Sequence, residues 1–392
     1  MTKIYLDHAA TTPLDPVVLR KMMPFLKDDF GNASSLHSWG QKARQAIENS
    51  RRQVANVLSC QNEEIVFTSC ATEANNLALK GLIEATKGKH IIISPIEHHC
   101  ILDTAKHLKK QGVKVTCLKT DKYGLISLKN LKDSILPETV LISIMYVNNE
   151  MGIIQPLLQI GKFIKEINKL RKAKGLPKIY FHTDAVQAIQ YLDCDVNQLG
   201  VDFLSLSAHK FYGPKGVGAL FVRKNTPLIR QQDGGGQEFG LRAGTENVAG
   251  IVGLGEAIKK VASQKQKTAK KLNKLSKYLI EGVLSSIEDV QLTGHPIKRA
   301  PHIISFVIKG VEGESLLLML NEKGIGGSSG SACTSGSLQP SHVLTAIGIP
   351  PASSHGSLRL SLGKNTTKKE IDYVIKVLPG IVKHLRQMSP FS

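Results

Sequence analysis

Short apolar runs recur between residues 65 and 222, and most are separated from the next by a polar, helix-like stretch. They lie at residues 65–67, 90–93, 113–118, 140–146, 179–181, 203–206 and 218–222. Runs of this length are typical of buried strands, and strands that alternate with helices form mostly parallel sheets with helices on both faces. The sequence therefore predicts an α/β fold built on a mostly parallel sheet flanked by helices.

Periodic segments also flank these runs. Helical periodicity precedes them at 15–27 and 40–58, and a charged helical stretch at about 256–284 follows them. Strand-like and helix-like segments then alternate in the rest of the chain, at 302–308, 314–321, 357–362 and 367–385. We predict a large domain over residues 15–258 and a smaller α+β domain formed by residues 1–14 and 259–392.

Two ionisable side chains follow predicted strands. Asp184 comes after the run at 179–181, and Lys210 comes after the run at 203–206. A lysine amine can hold an aldehyde cofactor as an imine, and a carboxylate beside a pyridine nitrogen keeps that nitrogen protonated. Such residues are common after strands, so the pair alone is not diagnostic. Residues 68–75 add a strand-to-helix turn of small polar residues, which offers backbone N–H groups to a phosphate. Together these features predict a pyridoxal phosphate site.

Cys333 lies in residues 324–337, which contain five glycines and a single large apolar side chain. We expect such a segment to form a mobile loop rather than part of a core. A thiol on an exposed loop suits a nucleophile that enters a site and carries a group out of it. An incidental loop cysteine is the alternative interpretation.

Composition narrows the possible functions. The formal charge is +19, from 51 Lys and Arg against 32 Asp and Glu, but no basic stretch is interleaved with the aromatic residues that base stacking needs. We therefore expect no dedicated nucleic-acid site. The six cysteines have no C-x-x-C spacing, and residues 98–100 lack a second cluster to complete a zinc site, so we predict free thiols and no metal. Without a signal-like start or a long apolar run, we predict a cytoplasmic protein without membrane spans.

Eight motifs in order along the chain carry a resemblance to a known family. They are residues 5–13, 30–37, 70–76, 147–152, the Asp184 and Lys210 segments, 242–247, and Ser-Ser-Gly-Ser-Ala-Cys-Thr-Ser at 328–335. The chain resembles the cysteine desulfurases of the NifS/IscS group, which belong to the class V aminotransferase-like, fold-type I pyridoxal phosphate enzymes. Cys70 stands where many relatives have glycine, and the chain ends earlier than IscS-type relatives do.

The resemblance implies roles for four residues in catalysis. Lys210 would form the Schiff base with pyridoxal 5'-phosphate and move the substrate Cα proton, and Asp184 would pair with the ring nitrogen. His98 would stack on the ring and take part in acid–base steps. Cys333 would attack the sulfur of L-cysteine, giving L-alanine and a persulfide that supplies sulfur for iron–sulfur cluster assembly and for other thio-cofactors.

The resemblance also implies binding roles and partners. Arg359 would hold the substrate carboxylate, with help from Asn32. Further residues would surround the cofactor, namely Ala71, Thr72, Asn149, Gln187, Ser207, His209 and Thr245. Because Thr245 matches a residue that reaches the phosphate in the partner subunit, the resemblance implies a homodimer with shared sites. It also implies a sulfur-acceptor protein, such as an iron–sulfur scaffold.

Two other classes of function stay open at this point. A selenocysteine lyase or class V aminotransferase would share Asp184 and Lys210 but would not need the thiol of Cys333. A sulfur carrier or RNA-binding protein without catalytic activity would be expected to lack the lysine or its acidic partner, and both are present.

Overall fold

The computed structural model describes residues 3–330 and 340–388. Its strands are β1 Ile4–Tyr5, β2 Ile65–Thr68, β3 His90–Ile93, β4 Lys114–Cys117, β5 Thr139–Ser143, β6 Tyr180–Asp184, β7 Phe203–Ser207, β8 Gly218–Val222, β9 Val290–Leu292, β10 Ile303–Ile308, β11 Ile325–Gly326 and β12 Ser357–Ser361. Its α-helices are α1 Pro16–Lys27, α2 Ser38–Leu58, α3 Ala71–Thr86, α4 His99–Lys110, α5 Leu128–Asp133, α6 Leu157–Ala173, α7 Val196–Leu199, α8 Val248–Ser286, α9 Gly313–Glu322, α10 His342–Ala346, α11 Pro351–Ser354 and α12 Lys368–Met388.

A seven-stranded sheet forms the centre of the first part of the chain. Its strand order is β2-β8-β7-β6-β5-β3-β4, and only β8 runs antiparallel to its neighbours. Every residue of β5 and β7 is buried, as expected for parallel strands covered on both faces, whereas the edge strand β4 is partly exposed. Each of the seven predicted apolar runs contributes a strand, so the predicted α/β architecture is confirmed.

A second, smaller sheet lies in the C-terminal part of the chain. It has the antiparallel order β12-β10-β9, and its core also contains side chains of α9 and α12. The predicted charged helix is confirmed as part of α8. The first half of α8 packs in the core of the large sheet through Leu254 and Ile258, and its second half packs in the other core through Leu272 and Leu279. Within residues 3–330 and 340–388, no helix is long and apolar enough to cross a membrane.

The N-terminal arm joins this second core through a pairing that the sequence did not indicate. Strand β1 pairs in parallel with β11, so that Ile4 lies opposite Ile325, and both side chains are buried. Ser328 then exchanges backbone hydrogen bonds with Arg359 of β12. The mobile loop predicted over 324–337 is therefore wrong for residues 324–330, because Ile325 is buried and pairs with Ile4, and Ser328 is bonded to the backbone of Arg359. Residues 331–337, including Cys333, lie outside the described residues.

His182 shows how the large sheet accommodates polar side chains. It lies in β6, where its Nδ1 is 2.8 Å from Ser143 Oγ of β5 and its Nε2 is 3.1 Å from Ser205 Oγ of β7. Burial lowers the pKa of His182 to about 3. The imidazole is therefore neutral in the folded protein at any pH above about 3, whereas the unfolded chain takes up a proton near its ordinary pKa of about 6.5.

We predict that His182→Gln flattens the dependence of folding stability on pH. Because the pKa of His182 is lower in the folded state, its contribution is fully present above pH ~6.5 and is lost as the pH falls from there toward about 3. Between pH 6 and 4 the wild type should lose about 1.4 kcal/mol per pH unit more than the variant, as urea unfolding measures. The exposed His107 is the control, since His107→Gln should keep the wild-type slope. Parallel curves for wild type and His182→Gln would contradict the assignment.

Candidate active site

A cavity of about 450 Å³ lies where the parallel strands of the large sheet end. A cavity of this size can hold a small molecule or cofactor. Many of the residues predicted from the sequence line it, namely Ala71, Thr72, His98, Asn149, Asp184, Gln187, Ser207, His209, Lys210 and Arg359. Segments separated by up to 288 positions in the sequence therefore meet at one edge of the sheet, because the carboxyl ends of parallel strands share that edge.

Asp184 is the last residue of β6 and is 6% exposed. Its Oδ1 accepts a hydrogen bond from the Val186 N–H at 3.0 Å, and its Oδ2 accepts one from the side-chain amide of Asn75 at 2.8 Å. Asn75 is fully buried in α3, and no individual role was predicted for it. Two donors from separate elements thus fix the orientation of this carboxylate toward the cavity.

His98 precedes α4 and is its N-cap, with Nδ1 accepting a hydrogen bond from the Cys100 N–H at 3.2 Å. The Cys100 Sγ lies 3.0 Å from the same nitrogen. Burial lowers the pKa of His98, and the nearby charge of Asp184 opposes that shift. Because Nδ1 accepts the backbone bond, the neutral imidazole carries its proton on Nε2. Burial raises the pKa of Cys100 to about 12, so this thiol in the cavity wall is neutral.

Lys210 ends a short 3₁₀ turn, Ala208–Lys210, that follows β7. Its Nζ donates hydrogen bonds to the carbonyl oxygens of Ala9 and Ala10, each at 2.7 Å. Thr12 holds the same turn, because its hydroxyl donates to the His209 carbonyl at 2.8 Å and accepts from the Tyr212 N–H at 2.7 Å. The N-terminal arm therefore determines where the lysine amine lies.

Gln187 and His209 also connect the cavity to this arm. The Gln187 side-chain amide donates to the Ala9 carbonyl at 2.8 Å, and its Oε1 lies 3.2 Å from Nε2 of His302. The Nδ1 of His209 is 3.1 Å from the Thr11 hydroxyl. Burial lowers the pKa of His209 to about 4, so its ring is neutral near pH 7.

The turn from β2 into α3 has the features of an anion site. No side chain caps the start of α3, which leaves amide groups of its first turn for a ligand. The Glu73 carboxylate accepts from the Ser69 N–H at 2.7 Å and pairs with Arg242 at 2.9 Å, and despite the opposing effect of burial the bond from Arg242 lowers the pKa of Glu73. Gly218 of β8 passes so close that a Cβ there would lie 2.7 Å from the Cys70 carbonyl carbon.

Arg359 comes from β12 of the second sheet and is 4% exposed. Its Nη1 donates to the Asn149 carbonyl at 3.0 Å, and its Nη2 donates to Asp7 Oδ1 at 2.9 Å. Its Nε is buried and has no hydrogen-bond partner among the described residues. A buried N–H without a partner carries a large free-energy cost, so this group fits a site where a ligand oxygen supplies the acceptor.

Two predicted residues do not join the cavity of the single chain. Asn32 is exposed, and its Oδ1 accepts from the Ser34 N–H. Thr245 is exposed and lines a different, smaller cavity. Cys333 lies outside the described residues. Their roles stay predictions.

The donor set fits pyridoxal phosphate. An uncapped helix start suits the phosphate, the oriented carboxylate of Asp184 suits a protonated ring nitrogen, and Lys210 in the same cavity suits the aldehyde. No group of three or more residues able to hold a metal ion occurs in the described part of the chain.

Comparison with known proteins agrees with this geometry. The family model for aminotransferase class V matches residues 4–374. The chain belongs to the class V aminotransferase family, in its cysteine desulfurase group. It is 48% identical over 392 residues to the cysteine desulfurase IscS of Clostridium botulinum strain Hall, covering 99% of this chain and 96% of that protein. It is also 43% identical to a human cysteine desulfurase, covering 99% of this chain and 83% of that protein.

Solved structures support the same family at the level of the fold. A NifS-like protein superposes with a TM-score of 0.90 at 36% identity, covering 98% of this chain and all of that one. A structure described as SspA in complex with cysteine superposes with a TM-score of 0.80 at 38% identity, covering 93% of this chain and all of that one. The resemblance inferred from the motifs and the predicted fold class are therefore confirmed. Members of this family are pyridoxal phosphate enzymes.

We predict that Asn75→Ala weakens pyridoxal phosphate binding about 10-fold, because Asp184 loses the donor that fixes its Oδ2. Titration of the apoprotein with the cofactor, followed by absorbance, measures the dissociation constant. Asn168→Ala is a matched control, since Asn168 also bonds through both side-chain atoms, at 2.8 Å to the Ile179 backbone, but lies outside the cavity. Equal affinity of Asn75→Ala and wild type would show that Val186 alone orients the carboxylate.

Proposed function

We propose that this chain is a pyridoxal phosphate-dependent cysteine desulfurase that converts L-cysteine to L-alanine, leaves the sulfur as a persulfide on Cys333, and supplies it for iron–sulfur cluster assembly. One observation carries the proposal most directly. Arg359, whose buried Nε has no hydrogen-bond partner in the part of the chain that the structure describes, lines the same cavity as Lys210 and Asp184. This cavity thus offers a donor for a carboxylate together with the two groups that fit the cofactor, as an amino-acid substrate requires.

The cofactor would be held at three points. The first turn of α3, at Ala71 and Thr72, would bind the phosphate together with Ser207 and His209, and Asp184 would pair with the ring nitrogen. Asn149 and Gln187 would bond the phenolic oxygen. When bound, the cofactor supplies an electron-accepting ring joined to the substrate nitrogen. All of these residues line the cavity, which supports the assignment.

The chain's own groups would bind the substrate and move its protons. Arg359 would bind the carboxylate, and a planar guanidinium suits two oxygens better than an ammonium does. Asn32, which is outside the cavity in the single chain, is proposed to assist it. Lys210 Nζ would take the Cα proton and return it, while the arm carbonyls of Ala9 and Ala10 hold the amine in place. Neutral His98, with its proton on Nε2, would serve as an acid–base group.

Sulfur transfer would balance without an external oxidant. The Cys333 thiolate attacks the substrate sulfur, an S–S bond forms, and the substrate Cβ–S bond breaks. The electron pair of the broken bond would stay on Cβ, which would take a proton and become the methyl group of alanine. The electron-accepting ring of a bound cofactor would stabilise that charge. Ser328 lines the cavity, and Gly330, two positions later, directly precedes residues 331–339. This closeness in sequence supports the proposal that Cys333 reaches the substrate.

We predict that Cys333→Ala loses more than ~100-fold in alanine and sulfide formation, and that Lys210→Ala is inactive, because the first removes the nucleophile and the second removes the imine and the proton carrier. The assay contains purified protein, L-cysteine and a reductant. Cys117→Ala is the control, since Cys117 is an exposed cysteine outside the cavity and should retain wild-type turnover.

Two outcomes would contradict the proposal. Full turnover in Cys333→Ala would favour a lyase of the same fold, in which no protein thiol takes the sulfur. Full turnover in Lys210→Ala would refute the assigned cofactor chemistry altogether.

We further propose that the functional unit is a homodimer with shared sites. Large apolar side chains are exposed close together in sequence, with Phe30 77%, Leu36 90% and Trp39 57% accessible, and such a patch is typical of an interface. Thr245 is also exposed on the single chain, as a residue that reaches a partner's phosphate would be.

The dimer proposal predicts that Trp39→Glu shifts the protein toward monomer in sedimentation velocity, because a charge would be buried in the interface. Leu170→Glu changes a comparably exposed apolar residue of α6 and should leave the sedimentation coefficient unchanged. A wild type that sediments as a monomer at micromolar concentration would overturn the shared-site proposal.

The remaining proposals concern organisation and partners. We propose domain boundaries at residues 15–258 for the large domain and at 1–14 with 259–392 for the small one, and the separate clusters of buried side chains around the large sheet and around the second sheet support that division. A sulfur-acceptor protein such as an iron–sulfur scaffold would take the persulfide sulfur. A cytoplasmic location is proposed with it.

A further inference from the structure

Glu150 is a buried carboxylate with no part in the mechanism above. It is 6% exposed and lies in the turn after β5, next to Asn149 of the cavity wall. Burial raises the pKa of Glu150 to about 7, against the opposing effects of a hydrogen bond from Ser341 and the charge of Arg359. Removing a carboxyl group from water is costly, so its contacts indicate what it does there.

The first contact of Glu150 is with Ser341, which follows residues 331–339 in the chain. The Ser341 hydroxyl donates to Glu150 Oε2 at 2.5 Å. The same hydroxyl oxygen accepts from the N–H groups of Val343 and Leu344, at 3.2 and 3.3 Å, as the N-cap of α10. Because its lone pairs face these amides, its proton is directed to Glu150. The carboxylate therefore holds the start of α10.

The second contact of Glu150 is with Gly330, which directly precedes residues 331–339. A Cβ on Gly330 would lie 2.9 Å from Glu150 Oε2 and 3.5 Å from the Ser341 Cβ. The Gly330 N–H donates to the Ser357 hydroxyl at 3.2 Å, two residues before Arg359 in β12. Because Gly330 has no side chain, Gly330 and Ser341 can both lie against the Glu150 carboxylate, although they stand on opposite sides of residues 331–339 in the chain.

The third connection is with the substrate-binding arginine. The Asn149 carbonyl, one residue before Glu150, accepts from Arg359 Nη1 at 3.0 Å. The backbone of Arg359 is bonded in turn to Ser328, at 2.7 and 3.0 Å. One short turn therefore contacts the substrate-binding group and both chain positions that flank the segment bearing Cys333.

We propose that Glu150 is a positioning residue for sulfur transfer, which joins Gly330 and Ser341 and ties them to Arg359. This inference rests on the proposed function, since it assigns Glu150 to the step in which Cys333 takes the substrate sulfur. Glu150 does not itself contact the reacting atoms.

Single-turnover kinetics test the proposal. In the cofactor-loaded enzyme, Glu150→Ala should slow persulfide formation on Cys333 about 10- to 100-fold, measured by quenching, alkylation and mass spectrometry. L-cysteine affinity, from the absorbance change on mixing, should stay within about 2-fold. Glu150→Gln keeps an acceptor for Ser341 and should recover part of the rate. When Ser341→Ala is added to Glu150→Ala, the rate of persulfide formation should fall little further, because both substitutions remove the same hydrogen bond.

Two further variants separate anchoring from general damage. Gly330→Ala keeps every polar group but places a methyl group against the carboxylate, so it should also slow persulfide formation while cysteine still binds. Ser354→Ala is the matched control, since Ser354 is a buried serine that bonds the Pro351 carbonyl at 2.7 Å and has no contact with Glu150, and it should retain the wild-type rate.

Hydrogen exchange on the cofactor-free protein provides a readout that does not depend on activity. Glu150→Ala should speed exchange at the Gly330, Val343 and Leu344 amides at least about 10-fold, while amides of α3 stay as protected as in the wild type. Unchanged exchange at these three amides, or a wild-type rate of persulfide formation in Glu150→Ala, would overturn the proposal. An equal loss of cysteine binding and persulfide formation would overturn it too, since Glu150 would then act only on substrate binding. If wild-type enzyme forms no persulfide on Cys333, the proposed function fails, and the exchange result alone decides whether Glu150 joins the two flanking positions.

Discussion

The N-terminal arm is the element on which the site depends, because residues 4–12 are bonded to both halves of it. On one side β1 pairs with β11, and Asp7 binds Arg359 of β12. On the other side the carbonyls of Ala9 and Ala10 bind the amine of Lys210. The lysine that would hold the cofactor and the arginine that would hold the substrate are thus positioned by one short stretch of chain. Without it, their separation would depend on the bond from Arg359 to the Asn149 carbonyl and on the packing of two sheets that share no strand.

Low exposure then determines the charge states inside the cavity. Burial lowers the pKa values of His98 and His209 and raises that of Cys100, so all three are neutral near pH 7. The charged groups Asp184 and Arg359 are instead bonded by oriented donors and acceptors. In a buried site, a few fixed charges act strongly on a bound ligand, and neutral neighbours do not compete with them. The geometry therefore suits a cofactor that carries its own charges.

The fold was largely predictable from the sequence, and the site was predictable where strand ends define it. Apolar runs located the strands, and polar residues after them, such as Asp184 and Lys210, lie in the cavity because parallel strands end at a common edge. Pairings across long separations were not predictable. The two-residue strand β1 has no periodicity to detect, and β11 lies in a glycine-rich segment whose composition indicated a loop. Asn75 was missed because its role depends on which element faces Asp184.

The segment carrying Thr245 shows how a buried ion pair can offset local strain. Glu238 and Phe239 have φ values of 47° and 59°, in the left-handed region that costs non-glycine residues about 1–3 kcal/mol. The Glu238 carboxylate is bonded by both terminal nitrogens of Arg51, each at 2.8 Å, and by the Phe67 N–H at 2.7 Å. These charge-assisted bonds are among the strongest in proteins and hold the turn against β2, the strand that leads into the proposed phosphate site. The proposed reach of Thr245 into a partner subunit would benefit from such a fixed base, because mobility there would add an entropic cost to every shared contact.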